Sequence, residues 1–391
     1  MPESASPFRL TEDQVLLRDA VRTLAQEQIA LRAAAIDRDG TFPHDVKDLL
    51  ARQDILALPF PEAYGGVGAD LLTVCLAIEE LSRADATSWL ILAVQGLGAL
   101  PILLAGTDEQ KQRWLPDLAA GRTLIAFALT EAAAGSDPSA TKTRASRTGD
   151  EYVLDGSKRF ISHASVADLL VVFAVTNPEA QKPSRRLSAF VVETTSPGFA
   201  VARLEHKMGI RGSPTAELTF DGVRVPAAHR LGEEGEGFVL AMRTFDRSRP
   251  GIAAQAVGIA QGALDEAVRY SRERLQFGRP IADLQMIQAM LADMAAQTEA
   301  ARALLYRACA EIEHGPPEEA ARWAAMCKLV AGDTAMRVAT DAVQVLGGYG
   351  YTEDFPVERM MRDAKITQLY EGTQQIQRLV IARALLRARD Q

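Results

Sequence analysis

The spacing of apolar residues changes twice along the chain. From Leu10 to about Gly121 they recur at helical intervals, from about Arg122 to Pro226 they fall into short strand-like runs, and from Gly237 onward the helical interval returns. Near the start, Thr11-Glu12-Asp13-Gln14 has capping-box spacing, with Leu10 and Val15 placed as a hydrophobic staple. The same box recurs at Thr107 to Gln110 ahead of Trp114, Leu115 and Leu118, so two helix starts are predicted. Between them, PFPEAYGGVGAD at 59–70 is a proline- and glycine-rich loop that must run on the surface or approach a ligand closely. Trp89 to Gly106 carries no charge over 18 residues, the lower limit for a membrane-crossing helix. Gly96, Gly98 and Pro101 interrupt it, which predicts two buried helical pieces joined at that break.

In the middle region, Tyr152 to Leu154, Leu169 to Val175, Ala189 to Val192 and Glu217 to Val225 are bounded by Gly, Pro, Asn and Asp. Several short strands at this spacing predict a small β-barrel or sandwich, with Asn177 to Leu187 as a solvated hairpin connection. In the last region Leu284, Ile287, Leu291 and Met294 share one helical face, and HGPPEE at 314–319 separates two long helices, as in a bundle that also packs against other subunits. The expected division is 1–121 helical, 122–236 β and 237–391 helical bundle.

Composition narrows the classes. The chain has 391 residues, enough for two or three domains, with 48% hydrophobic and only 6% aromatic residues, a balance that favours helix. A formal net charge of −8 argues against nucleic acid or an anionic membrane as a general partner. Cys75, Cys309 and Cys327 lack metal-ligand spacing and the five histidines are scattered, so no metal is expected and a reducing compartment is. MPESASPFRL has neither a signal core nor a transit-peptide pattern, and a cytoplasmic location is the expectation. GEEGEG at 232–237 is not a phosphate-binding order, and no strand-linked G-x-G-x-x-G supports a nicotinamide site.

The chemistry concentrates near the C-terminus. In Leu369-Tyr370-Glu371-Gly372-Thr373-Gln374-Gln375-Ile376-Gln377-Arg378 an acid precedes glycine, the residue that admits the closest backbone approach. A carboxylate dried on such a turn has its pKa raised toward that of a general base, although acids are also common in first helical turns.

This stretch resembles the YEGTSQIQR active-site signature of the acyl-CoA dehydrogenase family, with Gln374 the one internal difference. The resemblance implies that Glu371 removes the α-proton of an acyl-CoA thioester while FAD takes a hydride from the β-carbon. It also implies that Tyr370 and Gly372 border the substrate and that Thr373 and Gln375 contact the cofactor. FALTEAAAGSD resembles the family's TEPGAGSD flavin loop, although Ala132 replaces its proline. That places Phe127, Leu129, Thr130, Gly135 and Ser136 against FAD, with Ser136 also reaching substrate.

RFISHASVAD is similar to the family strand WITNG..AD, so Phe160 would cover the flavin ring and Ser162 would supply the hydroxyl to it. His163 departs from the usual asparagine and reads either as a local hydrogen-bonder or as a second acid or base. HKMGIRGSPTAELTFDGVRVP resembles a second signature and is assigned mainly to barrel closure. FDRSRPG would bring Asp246 and Arg249 to the CoA portion, and with no glutamate between Phe245 and Ile259, Glu371 has no rival base. RERLQFGRPIADLQ would direct Arg274, Gln276, Phe277 and Gln285 to the FAD of a neighbouring subunit, with Gln344, Gly347 and Gly348 at its adenine end.

The resemblance covers nearly the whole chain. It implies an N-terminal helical domain, a middle β-barrel and a C-terminal four-helix bundle, a homotetramer acting in fatty-acid metabolism, and an electron-transfer flavoprotein as acceptor. The alternatives are a flavin oxidase or monooxygenase on the same scaffold, or a non-catalytic acyl-CoA-binding relative. Gly96, Gly98 and Ala99 fall where a pocket-lining helix is expected.

Overall fold

The computed structural model describes residues 9–387. Six helices come first: α1 Glu12–Leu24, α2 Ala33–Asp39, α3 His44–Arg52, α4 Leu71–Ala84, α5 Trp89–Ala105 and α6 Asp108–Ala119. Both capping boxes form, the Thr11 and Thr107 hydroxyls each accepting from the amide three residues on while Gln14 and Gln110 reach back.

The expected break in the uncharged segment does not occur. α5 is one helix of 17 residues with Pro101 inside its last turns. Gly98 serves packing. A Cβ on Gly98 would lie 2.7 Å from Ile125 Cγ2, so only glycine lets the next strand come this close. Among the described residues no helix is long and apolar enough to cross a membrane.

Eight strands follow, β1 Ile125–Ala128, β2 Arg144–Thr148, β3 Glu151–Ser162, β4 Leu169–Val175, β5 Leu187–Glu193, β6 Phe199–Leu204, β7 Thr215–Pro226 and β8 Arg230–Leu231. They form one sheet in the order β6-β7-β3-β2-β4-β5-β8, with β1 parallel to β4. β4 and β5 are buried on both faces and therefore read as continuous apolar runs. Alternate residues of β4 enter different cores. Leu170, Val172 and Ala174 join Tyr152, Leu154, Phe190 and Val223 inside the sheet, whereas Leu169, Val171 and Phe173 face Ile102, Leu115 and Leu118 of the helical domain. The sheet thus wraps its own core and presents a second apolar face to the first helices. Within the described residues no ladder joins β6 to β8, so the wrapping is not closed by hydrogen bonds.

The remainder is helical around a short hairpin: α7 Gly237–Glu273, β9 Leu275–Gln276, β10 Arg279–Pro280, α8 Gln285–His314, α9 Ala320–Leu346, α10 Val357–Ala364 and α11 Gln374–Arg387. The HGPPEE break lies between α8 and α9 as expected, and Met294 is buried in the core with Leu284, Ile287 and Leu291 packed against it. α7 runs for 37 residues against α4, α8 and α9, which makes it the shared wall of the helical parts.

Candidate active site

Glu371 follows the turn that ends α10 and precedes α11, in the left-handed conformation with φ +52°. For a residue with a side chain this is costly, on the order of 1–3 kcal/mol, and persists only where the surroundings over-determine it. They do. The Glu371 carbonyl accepts from Arg249 Nε at 3.2 Å and Gln377 Nε2 at 3.1 Å, and the Gly372 carbonyl from Lys328 Nζ and Gln377 Nε2, both at 2.8 Å. Gly372 itself has φ +93°, and a Cβ there would sit 2.7 Å from Gln377 Nε2. Gln374, the departure from the family motif, is buried, donates to the Leu329 carbonyl at 2.7 Å and accepts from Lys328 at 3.1 Å. It reinforces the same grip.

The Glu371 carboxylate accepts a short hydrogen bond from Ser248 Oγ. Burial pushes its pKa above the ordinary range, opposed by the Ser248 bond and by the charges of Arg249 and Lys328. Burial also pushes the Lys328 ammonium down to about 8. Among the described residues the Glu371 N–H donates to no acceptor, so it is free to meet a ligand.

Glu371 stands between two cavities. One, of about 190 Å³, is apolar and lies among α4, α5 and α7. The other, of about 220 Å³, is lined by Phe127, Leu129, Thr130, Gly135, Ser136, Phe160, Ser162, Arg249, Tyr370 and Gly372. Those ten sequence-expected residues therefore converge on one space. Phe160 is 56% exposed with φ +59°, its ring under the Arg159 guanidinium at 5.1 Å. No atom lies within 4 Å of a Cβ built on Gly135. An exposed aromatic face beside an open polar loop fits a planar, hydrogen-bonding heterocycle.

A third cavity, of about 480 Å³, is bordered by Arg274, Gln276, Phe277, Gly347 and Gly348, and shares no lining residue with the other two. Arg274 lies over the Tyr349 ring at 5.2 Å and Phe277 is 88% exposed. Gln285 and Gln344 are exposed next to this region without bordering the cavity. Thr373 accepts from the Ile376 amide at the start of α11, and Gln375 is exposed.

Arg249 is buried beneath the Glu371 loop, which it grips through Nε, with Asp246 3.6 Å away, and it also borders the polar cavity. His163 is neither hydrogen-bonded through its side chain nor a ready acid or base. It is buried edge-on to Phe42 at 5.0 Å, its Nε2 has no partner among the described residues, and burial pushes its pKa down to about 3.

Other residues escaped sequence reading. Lys328 is a lone cation in the apolar stripe of α9, a signal that was legible, and Gln377 lies in the first turn of α11, five residues beyond Gly372. Ser248 had no signal of its own. Lys158 is buried and bonds Glu131 Oε1 at 2.9 Å and the Leu129 carbonyl at 3.0 Å, while Glu131 also accepts from the Lys142 and Thr143 amides. This knot fixes the loop that carries Gly135 and Ser136.

Residues 11–122, 126–223 and 235–386 match the acyl-CoA dehydrogenase N-terminal, middle and C-terminal domain models. The chain is 51% identical to the cyclohex-1-ene-1-carbonyl-CoA dehydrogenase of Geobacter metallireducens, covering 96% of this chain and 99% of that one. It superposes on butyryl-CoA dehydrogenase from Megasphaera elsdenii with TM-score 0.93 and 44% identity, covering 97% and 99%. A chain in a structure concerned with the electron transferring flavoprotein of Acidaminococcus fermentans aligns with TM-score 0.94 and 47% identity, again over 97% and 99%.

Proposed function

Because the chain belongs to the acyl-CoA dehydrogenase family, a family of FAD-dependent oxidoreductases, we propose that Glu371 is the base that takes the α-proton of an acyl-CoA thioester. The observation that carries this reading is the position of Glu371 between the apolar cavity and the polar one. An acyl tail fits the first and a flavin ring the second.

Phe127, Leu129, Thr130, Gly135, Ser136, Phe160 and Ser162, which line the polar cavity, would hold FAD, and when bound it would supply hydride acceptance from the β-carbon. The chain's own residues do the rest. Ser248, Arg249 and Lys328 oppose the upward push that burial exerts on the Glu371 carboxyl and so favour its ionised form. The unengaged Glu371 N–H can donate to the thioester oxygen, where charge builds as the α-proton leaves. Lys328, Gln377 and Arg249 hold that amide and carboxylate in fixed relation, so no reorganisation is needed at the moment of transfer.

A flavin dinucleotide is larger than the second cavity alone. Arg274, Gln276, Phe277, Gln285, Gln344, Gly347 and Gly348 are proposed to serve the far end of the cofactor in a neighbouring copy, within a homotetramer. Thr373 and Gln375 at the start of α11, and Asp246 beside Arg249, are proposed as its outer contacts to cofactor and thioester. The boundaries near 121 and 236 are taken as domain boundaries, and an electron-transfer flavoprotein as the acceptor.

The test is an anaerobic titration of the purified flavoprotein with an acyl-CoA panel. The panel includes butyryl-CoA and cyclohex-1-ene-1-carbonyl-CoA, since two relatives are named for them. Bleaching of the flavin band by members of the panel is expected, followed by fast reoxidation with an electron-transfer flavoprotein and slow reoxidation in air. A panel that never bleaches the flavin contradicts the reading, and rapid peroxide formation matching turnover favours an oxidase.

A further inference from the structure

We infer that Gly96 sets the depth of the acyl cavity, which takes an apolar acyl group of about six to eight carbons with no polar end, an inference that rests on the function proposed for Glu371. The cavity of about 190 Å³ is walled by Trp89, Ala93 and Leu100 of α5, Cys75 and Ile78 of α4 and Ile252 of α7. An apolar cavity of about 150 Å³ stays dry and accommodates benzene, a six-carbon ligand, so this one suits a tail of about that size. An eight-carbon acyl chain places about five carbons beyond its β-carbon, and a ring-bearing acyl group places a comparable number.

Charge around the cavity points the same way. Apart from Glu371, the charged residues that border it are Arg247 and Glu313, both solvent-exposed, and the Glu313 carboxylate already accepts from the Leu71 amide at 2.7 Å. A second carboxylate on the acyl tail has no free buried partner here.

Gly96 is the telling position. A glycine in a helix interior weakens the helix relative to alanine, so its presence needs a reason. At Gly98 the reason is packing, because a Cβ would strike Ile125 at 2.7 Å. At Gly96 a Cβ would meet only Pro59 Cγ at 3.8 Å, an ordinary contact, and the backbone needs no positive φ. Nothing in the fold requires glycine there. What it leaves open is cavity, on a part of the wall that the flavin-side cavity does not share, unlike Trp89, Ala93 and Leu97. Side-chain atoms added at this position therefore compete with the acyl tail and not with the protein's own packing.

The test uses Gly96→Leu and Gly96→Ala holoenzymes and the ratio of kcat/KM for octanoyl-CoA to that for butyryl-CoA. A lost methylene's worth of apolar pocket changes discrimination by roughly 10- to 200-fold, so the ratio should fall at least about 10-fold in Gly96→Leu and by a smaller factor in Gly96→Ala. Flavin content should be kept, and Gly96→Ala should not lower Tm, which leaves the smaller variant as a readable test if leucine impairs folding. A ratio equal to the parent's in both variants, with butyryl-CoA still bleaching the flavin, overturns the inference. A parent enzyme whose flavin no acyl-CoA bleaches overturns the underlying reading instead.

Discussion

Lys328 Nζ, on the buried side of α9, lies 2.8 Å from the carbonyl oxygen of Gly372, and this bond ties the strained Glu371 turn to α9. Lys328→Met keeps the stem of the side chain but leaves the Gly372 carbonyl and Gln374 short of a donor, a loss of about 1–3 kcal/mol. The expected outcome is a folded flavoprotein whose substrate-driven flavin reduction is slower by about 10-fold, consistent with losing about 1.4 kcal/mol of positioning. Stopped-flow absorbance at the flavin band measures it. A rate within twofold of the parent means that the turn holds without Lys328.

The Ser248 hydroxyl favours the ionised form of Glu371, against the upward push of burial. Removing it in Ser248→Ala moves the carboxyl pKa higher, so a larger fraction of the base is protonated at any pH below neutrality. The acid limb of the reduction rate against pH should shift to higher pH, with parent and variant converging on the alkaline side. An unshifted acid limb contradicts the role given to Ser248.

Glu131 and Lys158 test the flavin loop. Burial works against the Glu131 charge, but Lys158, Thr143 and the Lys142 amide together hold its carboxyl below the usual range, and burial pushes Lys158 down to about 8. Glu131→Gln leaves a buried ammonium without its counter-ion, which costs on the order of 3–5 kcal/mol. Because the Glu131 pKa is depressed, its contribution is present at neutral pH and is lost as pH falls through the folded value. Urea unfolding should therefore show a large deficit for Glu131→Gln at pH 7 that shrinks in acid, together with a lower flavin content. Equal stability at both pH values contradicts the pairing.

Arg274→Ala addresses assembly. If the third cavity serves the cofactor of another copy, FAD binding and oligomer formation are linked equilibria. The variant should lose FAD on dilution and shift to smaller oligomers in parallel, with added FAD restoring both, as followed by sedimentation at the flavin band. A variant that sheds flavin yet stays fully assembled at every concentration contradicts the linkage.

Much of this is legible in the sequence. Helix starts at Thr11 and Thr107 could be read because capping is local chemistry, and β4 could be read because a strand buried on both faces is apolar throughout. β2 and β6 were missed because RASRT and FAVARL are largely exposed and carry little apolar alternation. The uncharged segment was misjudged because a glycine demanded by contact with Ile125 looks, in sequence, like one that breaks a helix. At the site, residues inside continuous motifs converged on one cavity, whereas Ser248 and Lys328, 123 and 43 positions before Glu371 in the chain, reach it only through tertiary packing. Arg249 stands out in the sequence beside its acid neighbour, but its bond to the Glu371 carbonyl, 122 positions away, arises only from the fold.

The most direct test of the account is anaerobic reduction of the Glu371→Gln flavoprotein by an acyl-CoA that bleaches the parent. The substitution is nearly isosteric, so fold and FAD content should be retained. Loss of a positioned general base should slow flavin reduction by at least about 10²-fold. Bleaching at the parent rate would contradict the assignment of Glu371 as the base.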